Sequence, residues 1–184
     1  MRKMTLKQYW PMPAKIFHNE FESFVCWGTL LSISSYGVGA VIGASTILSK
    51  THLSHRVVVP SILILWWHNE QSVILMIVAG FATAGIATVL ILLYNGFLLG
   101  WAFSQVIHRW TILQTLVVLV PHAIFELTAL FLGAQLSFIG ILSFVKYRTL
   151  KPLRQKSFLY WTAYNLVLIS VLLIIAAVLE VTIQ

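Results

Sequence analysis

The 184-residue chain is too apolar for a water-soluble domain, because 59% of its residues are hydrophobic and only 9% are charged, whereas a soluble domain carries about 25% charged residues. A mean hydropathy of +0.91 and several long uncharged stretches predict an integral membrane protein. The net charge of +7 suits contact with anionic lipid and, without a basic folded surface, does not indicate nucleic-acid binding. The single cysteine, Cys26, excludes a disulfide framework and a thiolate metal site.

The first 22 residues predict a basic, amphipathic arm that lies at the membrane interface. Lys7 and Lys15 are interleaved there with aromatic residues and prolines, a pattern typical of interfacial segments. The rest of the chain, 23–184, is predicted to form one transmembrane helical domain. Its first span is expected at about 24–48, and no cleavable signal peptide is predicted, because this run is long enough to cross the membrane.

The remaining segments predict an all-α, polytopic membrane bundle of about five spans with two breaks. Residues 49–68 are expected to form a loop whose tryptophans anchor a short apolar segment at the interface. The run 72–107 would measure ~54 Å as one helix, longer than a ~30 Å hydrocarbon core. A break is therefore expected at Asn95-Gly96, where the chain either bends or turns back. Pro121 interrupts the next span, and the last three spans are expected at about 111–131, 133–145 and 157–180.

The distribution of Lys and Arg predicts a cytoplasmic N-terminus. Four basic residues precede the first span and five lie between the last two spans. If the run 72–107 crosses once, Arg109 joins them, and only Lys50 and Arg56 remain outside, as the positive-inside rule requires. This arrangement has five spans and an external C-terminus.

Two ionisable residues stand inside the apolar stretch PHAIFELTALFLG, residues 121–133. His122 and Glu126 are four residues apart and share one helix face, and Pro121 frees a backbone carbonyl beside them. An ionisable side chain at this depth costs on the order of several kcal/mol unless it is paired, neutral or near water. The pattern predicts an intramembrane site that contacts a substrate, a proton or an ion. The alternative is a structural kink with a His–Glu hydrogen bond that fixes helix packing.

Glu180, near the end of the last span, is the third candidate residue. It either emerges among the headgroups or, if the helices tilt, closes the site in the outer half of the membrane. One imidazole and two carboxylates, from His122, Glu126 and Glu180, would suit zinc and leave a position for water. H-x-x-x-E is nevertheless a weak signal, and the H-E-x-x-H pattern is absent. Without a metal, the His–Glu pair could provide general acid–base chemistry.

Asn95 and several glycines are predicted to be structural. The Asn95 amide can cap backbone groups freed by a break at Gly96. Gly96 and Gly100 repeat the small-xxx-small spacing of Gly39 and Gly43, which lets helices approach closely. A homodimer and packing within one chain explain these spacings equally well.

Three motifs between residues 69 and 181 carry a family resemblance: NEQSVILMIVAGFATAGIATVLILLYNGFLLG, LVPHAIFELTALFLGAQL and AAVLEV. Their order and approximate spacing resemble the stage II sporulation protein M family of bacterial membrane proteins. Ala123, Thr128 and Glu70 depart from this pattern, since glycine, proline and a second asparagine are usual there. The matching family positions are Asn69, Asn95, Gly96, Gly100, Pro121, His122, Glu126 and Glu180.

The resemblance implies a multi-pass protein of the bacterial cell membrane. The sporulation member resembles a scaffold that holds cell-wall hydrolases during engulfment. Other small, basic members resemble components encoded with circular bacteriocins, where they are linked to maturation, export or producer immunity. A short, basic chain is more similar to this second group.

Three functional hypotheses follow. In the first, the chain handles a hydrophobic peptide during circular bacteriocin biosynthesis; in its sharper form it is an intramembrane peptidase or peptide ligase with acid–base or zinc-assisted chemistry at His122, Glu126 and Glu180. In the second, it is a non-catalytic scaffold or immunity protein that binds other membrane proteins. In the third, it is the permease partner of a separate ABC ATPase, because the chain has no P-loop of its own.

Overall fold

The computed structural model describes residues 18–46, 61–107, 110–147 and 156–183. These residues form five helices, of which two are joined by a described turn at residues 83–85, and none of the described residues is in a strand. The predicted interfacial arm lies mostly outside this part of the chain, and the first helix begins at the end of it. The helices are α1 (His18–Ser45), α2 (Ile62–Ala82), α3 (Ile86–Ile107), α4 (Ile112–Tyr147) and α5 (Lys156–Ile183).

Each helix contains a segment long and apolar enough to cross a membrane, from the 21 residues of Ile62–Ala82 to the 27 residues of Ile112–Phe138. At 1.5 Å per residue, a helix of 21 residues measures ~32 Å, close to the ~30 Å of a hydrocarbon core. Large apolar side chains are exposed on every helix, as expected where lipid is the solvent. The predicted all-α membrane bundle of about five spans is confirmed.

The predicted break at Asn95-Gly96 is wrong, because both residues lie in the middle of α3. The turn is instead at residues 83–85, where Ala84 and Gly85 have φ angles of 51° and 85°. The Thr83 hydroxyl donates to the Ala79 carbonyl at 2.7 Å and accepts the Ala87 N–H at 2.9 Å, so one side chain caps the end of α2 and the start of α3. A helical hairpin results.

Two other expected boundaries are also wrong. Trp66 and Trp67 lie within α2 rather than in an interfacial loop. α4 is continuous through Pro121, so the short fourth span expected after Gly133 is the C-terminal part of the same helix. Gly133 serves packing and not a turn, since a Cβ there would lie 2.6 Å from Cγ1 of Val73 on α2.

α4 is the central helix of the bundle and contacts all four others, most extensively α5 and then α2. Hydroxyl and amide groups bridge the helices near it. Thr88 and Ser137 hydroxyl oxygens lie 2.7 Å apart between α3 and α4, and Gln135 Nε2 donates to the Thr29 hydroxyl on α1 at 2.9 Å. The buried apolar core is built from α2 to α5 and comprises Val73, Met76, Leu92, Ala129, Leu130, Ala134, Leu136, Phe138, Ile169 and Leu173.

α1 packs mainly against α3, and in the part of the chain that the structure describes it does not contact α2 or α5. A Cβ added at Gly39 would overlap the Leu93 carbonyl, and one added at Gly43 would overlap the Phe97 carbonyl. This register shows that α1 and α3 run parallel with their backbones in contact. Gly96 and Gly100 face α1 in the same way, so all four glycines of the two small-xxx-small spacings pack within one chain.

Candidate functional site

A narrow polar cleft lies between α2, α3, α4 and α5 and holds about 180 Å³ of space not filled by atoms. Glu126 is close to the middle of the span Ile112–Phe138, and Asn95 is close to the middle of Ile86–Ile107. The cleft therefore lies at hydrocarbon depth, as the sequence predicts for Glu126. Its lining consists of Asn69, Ser72, Val73, Asn95, Glu126, Leu130 and Leu173.

The helical repeat and the hairpin explain why these residues meet. Asn69, Ser72 and Val73 are three and four residues apart, so they lie on one face of α2, and Val73 is fully packed against the core. The turn at residues 83–85 then reverses the chain and brings Asn95 of α3 beside that face. Glu126 and Leu130, also four apart, form the matching face of α4.

The polar side chains of the cleft differ in how they are hydrogen-bonded. Asn95 Nδ2 donates to the Ile91 carbonyl of its own helix at 2.8 Å. The Ser72 hydroxyl donates to the His68 carbonyl at 3.1 Å. Among the residues that the structure describes, none donates a hydrogen bond to the Glu126 carboxyl. The cleft thus has hydrogen-bond acceptors that its own helices leave open.

The electrostatic surroundings of Glu126 are negative. Glu180 on α5 is near enough for its charge to interact with that of Glu126. Tyr36 of α1 is also within electrostatic reach of Glu126. None of the five membrane segments contains Lys or Arg.

His122 is not one of the residues that line the cleft. Its Nδ1 lies 3.2 Å from the Val118 carbonyl oxygen, one turn earlier on α4. The His–Glu hydrogen bond expected as the structural alternative is not formed within the described residues. The imidazole instead contacts a backbone carbonyl of its own helix, one turn earlier.

Over the described ranges, no group of three or more His, Cys, Asp and Glu side chains is arranged to hold a metal ion. His122, Glu126 and Glu180 are therefore not brought together as the zinc ligands suggested by their types. The three residues do not fit a zinc centre in this structure, because the imidazole is bonded to its own helix and, of the two carboxyl groups, only that of Glu126 lines the cleft.

The structure brings together three predicted polar residues, Asn69, Asn95 and Glu126, and adds Ser72, which sequence reasoning missed. The signal for Ser72 was its position three residues after Asn69, on the same helix face. Gly96, predicted to be structural, is buried against α1, and Pro121 lies inside α4.

These features define a five-span integral membrane protein with a polar cleft in the middle of its helical bundle. The family model for Stage II sporulation protein M matches residues 23–183. The chain belongs to the stage II sporulation protein M family, which confirms the resemblance. Searches of curated proteins and of solved structures gave no match.

Proposed function

We propose that this protein is a membrane scaffold that binds a hydrophobic peptide, or a membrane segment of a partner, by taking one polar group of it into the cleft. The supporting observation is that Asn69, Asn95 and Glu126, from three helices, line one cleft whose other walls are mainly apolar. Binding sites commonly combine an apolar lining with a few polar groups that fix the orientation of the ligand.

The cleft is narrow. The volume of about 180 Å³ between its lining side chains includes space open to the surroundings and leaves no room for a water molecule as the side chains stand. Binding of one side chain or one chain end therefore requires the lining side chains to move apart, and a folded peptide would lie outside the cleft against the lipid-facing helices. The position of His122 outside the cleft lining favours binding over acid–base chemistry shared by His122 and Glu126.

Within this proposal the partner is a hydrophobic peptide of circular bacteriocin biosynthesis, bound during its maturation, export or producer immunity. Support comes from the family resemblance and from the basic character of the chain. The peptidase or ligase activity and the role as an ABC permease partner stay predictions.

We also propose that the N-terminus is cytoplasmic. Five consecutive spans place the basic N-terminal segment and the basic segment between α4 and α5 on the same side of the membrane. With the observed helix bounds, Arg109 falls on the opposite side from these segments. Nine Lys and Arg residues then lie inside and three, Lys50, Arg56 and Arg109, lie outside, which still satisfies the positive-inside rule.

The proposed binding is tested by site-specific photo-cross-linking in cells that make the protein. A diazirine-bearing leucine analogue replaces Leu173, which lines the cleft, and in a control it replaces Leu166, an exposed leucine of the same helix. We expect a hydrophobic peptide segment, identified by mass spectrometry, to cross-link from position 173 and not from 166. The adduct should be lost in Glu126→Gln.

Lipid adducts alone at both positions would contradict the proposed function. A captured peptide unrelated to a bacteriocin precursor would contradict only the finer part of the proposal. A captured peptide whose leader or termini change with time, in a manner that depends on Glu126, would instead favour the enzyme hypothesis.

A further inference from the structure

We propose that a transmembrane helix of the partner packs along the seam between α2 and α3 and places a carboxamide side chain, from Asn or Gln, against the polar side of the cleft. This inference rests on the proposed function and specifies where the partner segment enters and which group the site recognises. It follows from how the helices around the cleft pack and from which of their hydrogen-bonding groups are open.

α2 and α3 are joined by a tight turn but contact each other less extensively than α2 contacts α4 or α5. Their described atomic contacts lie near the turn. Thr88 Oγ1 is 3.5 Å from the Met76 carbonyl oxygen, and a Cβ added at Gly80 would overlap the Thr88 hydroxyl. Asn69 and Asn95 lie about three to four helical turns away from residues 83–85. The two helices of the hairpin therefore diverge toward the level of the cleft.

The other sides of the cleft are closed by helix packing. Val73 of α2 lies against Gly133 of α4, and Trp66 Nε1 donates to the Ser170 hydroxyl at 3.3 Å, which joins α2 to α5. α4 and α5 pack extensively, and α1 contacts both α3 and α4 and covers the seam between them. Among the described helices, the α2–α3 seam is the side that packing leaves least closed.

The burial of the lining residues agrees with an opening on this side. The three apolar residues of the cleft are fully buried, whereas its polar residues on α2 and α3 are half-buried, namely Asn69, Ser72 and Asn95. The hydrogen bond from Ser72 to the His68 carbonyl is exposed. The cleft thus has a closed apolar end and an open polar side, which belongs to α2 and α3.

The open groups on the polar side include both donors and acceptors. Among the described residues, none forms a hydrogen bond with the Asn69 side chain, so it offers two N–H groups and one carbonyl oxygen. The Asn95 amide gives one N–H to the Ile91 carbonyl at 2.8 Å and keeps its second N–H and its Oδ1. The Ser72 oxygen, whose hydrogen is given to His68, keeps its lone pairs. A cation or an anion would satisfy only one kind of these groups.

A primary carboxamide matches this mixed set of groups. It carries two N–H donors and one carbonyl acceptor, and it is neutral, whereas a charged side chain at this depth is costly. Asn and Gln side chains form hydrogen bonds between membrane helices. Glu126 lies in the same cleft, and an ionised carboxyl group accepts a stronger hydrogen bond from an amide N–H than a neutral oxygen does.

The seam admits this group after a local change of side chains. As they stand, the lining side chains leave no room for a water molecule. Asn69 is not held by a hydrogen bond to another described residue, so its amide turns toward a ligand without losing one. The apolar remainder of the partner helix would pack on α2 and α3 and stay in the lipid.

The test uses the full-length protein in lipid nanodiscs and three designed, fluorescent transmembrane peptides of about 20 residues. The peptides are identical except for one central residue, which is Asn, Leu or Lys. Leu has nearly the size of Asn without its polar groups, and Lys provides a cation. We expect the Asn peptide to bind the wild-type protein at least about fivefold more tightly than the other two, as measured by resonance energy transfer.

Two substitutions in α2 form a matched pair. Asn69→Leu removes the open amide of the seam and should abolish the preference for the Asn peptide. Gln71→Leu removes an exposed amide that lies two residues further on, on nearly the opposite face of the helix, and should keep the preference. Self-association of the Asn peptide is the same with both proteins and does not affect the comparison. Circular dichroism and thermal unfolding establish that each variant is folded.

A photo-cross-link tests the place of entry. A diazirine-bearing leucine analogue replaces Leu98, which lies three residues after Asn95 on the same side of α3. The control position is Leu166 of α5, because both leucines are 39% exposed. We expect the Asn peptide to cross-link from position 98 and much less from position 166.

Equal affinity of the Asn and Leu peptides, tighter binding of the Lys peptide, or a preference for Asn that survives Asn69→Leu would overturn the carboxamide assignment. Equal cross-linking from positions 98 and 166 would overturn the α2–α3 seam as the place of entry. Failure of all three peptides to bind would overturn both. In each case the proposed function is decided separately by the cross-link from Leu173, which captures the natural partner and does not depend on the designed peptides.

Discussion

Five glycines of α1 and α3 differ in what surrounds them, although all are in regular helix. A Cβ at Gly39, Gly43, Gly96 or Gly100 would overlap a backbone carbonyl of the opposite helix, whereas one at Gly37 would have nothing within 4 Å. The absence of a side chain is therefore required for close packing of the two helices at Gly39, Gly43, Gly96 and Gly100. At Gly37 it makes no difference to packing.

Gly96→Ala and Gly37→Ala form a matched pair that isolates this contact. We expect Gly96→Ala to lower the free energy of unfolding by ~1–3 kcal/mol, because the new methyl group pushes two backbones apart. Gly37→Ala should raise it by up to ~1 kcal/mol through helix propensity alone. Unfolding in detergent by titration with sodium dodecyl sulfate measures both. Equal destabilisation by the two substitutions would argue against the α1–α3 contact.

The buried hydroxyl pair of Thr88 and Ser137 tests the polar contacts around α4. Their oxygens lie 2.7 Å apart, and both hydroxyls crowd the position of Gly80 on α2. Interhelical hydrogen bonds in membranes contribute ~0.6 kcal/mol on average. We expect a coupling of that size, up to ~1.7 kcal/mol, from a double-mutant cycle of Thr88→Val and Ser137→Ala. Strictly additive effects of the two substitutions would show that the bond is not formed.

At the scale of elements, the hairpin of α2 and α3 depends on two residues with left-handed backbone. Gly85 adopts φ 85° without strain, but Ala84, at φ 51°, places a Cβ in a conformation that costs an L-residue roughly 1–2 kcal/mol. The turn therefore contains one residue that adopts a left-handed backbone without strain, Gly85, and one that is strained by it, Ala84.

Substitutions at these two positions should have opposite effects. Ala84→Gly removes the strain but adds freedom to the unfolded chain, so we expect no loss and a gain of up to ~1 kcal/mol in the free energy of unfolding. Gly85→Ala introduces the same kind of strain and should cost ~1 kcal/mol. Thermal unfolding of the two single variants measures the difference. A stabilising Gly85→Ala would place the turn elsewhere.

The sequence predicts the number of spans but not the positions at which they begin and end. Hydropathy predicts about five spans because each crossing requires about 20 apolar residues, but the turn after α2 contains no strongly polar residue. Asn-Gly is the stronger turn signal in water. In α3, however, Asn95 Nδ2 donates a hydrogen bond to the Ile91 carbonyl of the same helix, and the helix continues through both residues. Gly133 likewise suggested a break and is instead a close contact with α2.

The candidate site could also be predicted only in part, because sequence spacing describes which residues share a face of one helix and not which helices meet. Spacing alone pairs His122 with Glu126, because residues four apart share a helix face. Which group lies across from Glu126 depends on the register between helices, and no single helix encodes that. The resemblance indicated Asn69, and the Asn-Gly pattern indicated Asn95 as a capping residue. That both meet Glu126 depends on the hairpin at residues 83–85.

At the scale of the whole molecule, the proposed orientation can be measured with single cysteines. In a Cys26→Ser background, Ala84→Cys reports the turn between α2 and α3, and Ser61→Cys reports the start of α2. With a cytoplasmic N-terminus, a membrane-impermeant maleimide added to intact cells should label Ser61→Cys and leave Ala84→Cys unmodified until the membrane is permeabilised. The reverse pattern would invert the molecule and contradict the positive-inside count.

The parallel contact between α1 and α3 has a consequence for the synthesis of the protein. The glycines that pair these helices are almost 60 residues apart along the chain, and α2, which is made between them, does not contact α1 in the described residues. At a synthesis rate of roughly 5–20 residues per second, the glycines of α3 are made roughly 3–12 s after those of α1. During this interval the glycine face of α1 is open to lipid or to an insertion chaperone, so nascent chains that end before Gly96 should be the ones most readily degraded.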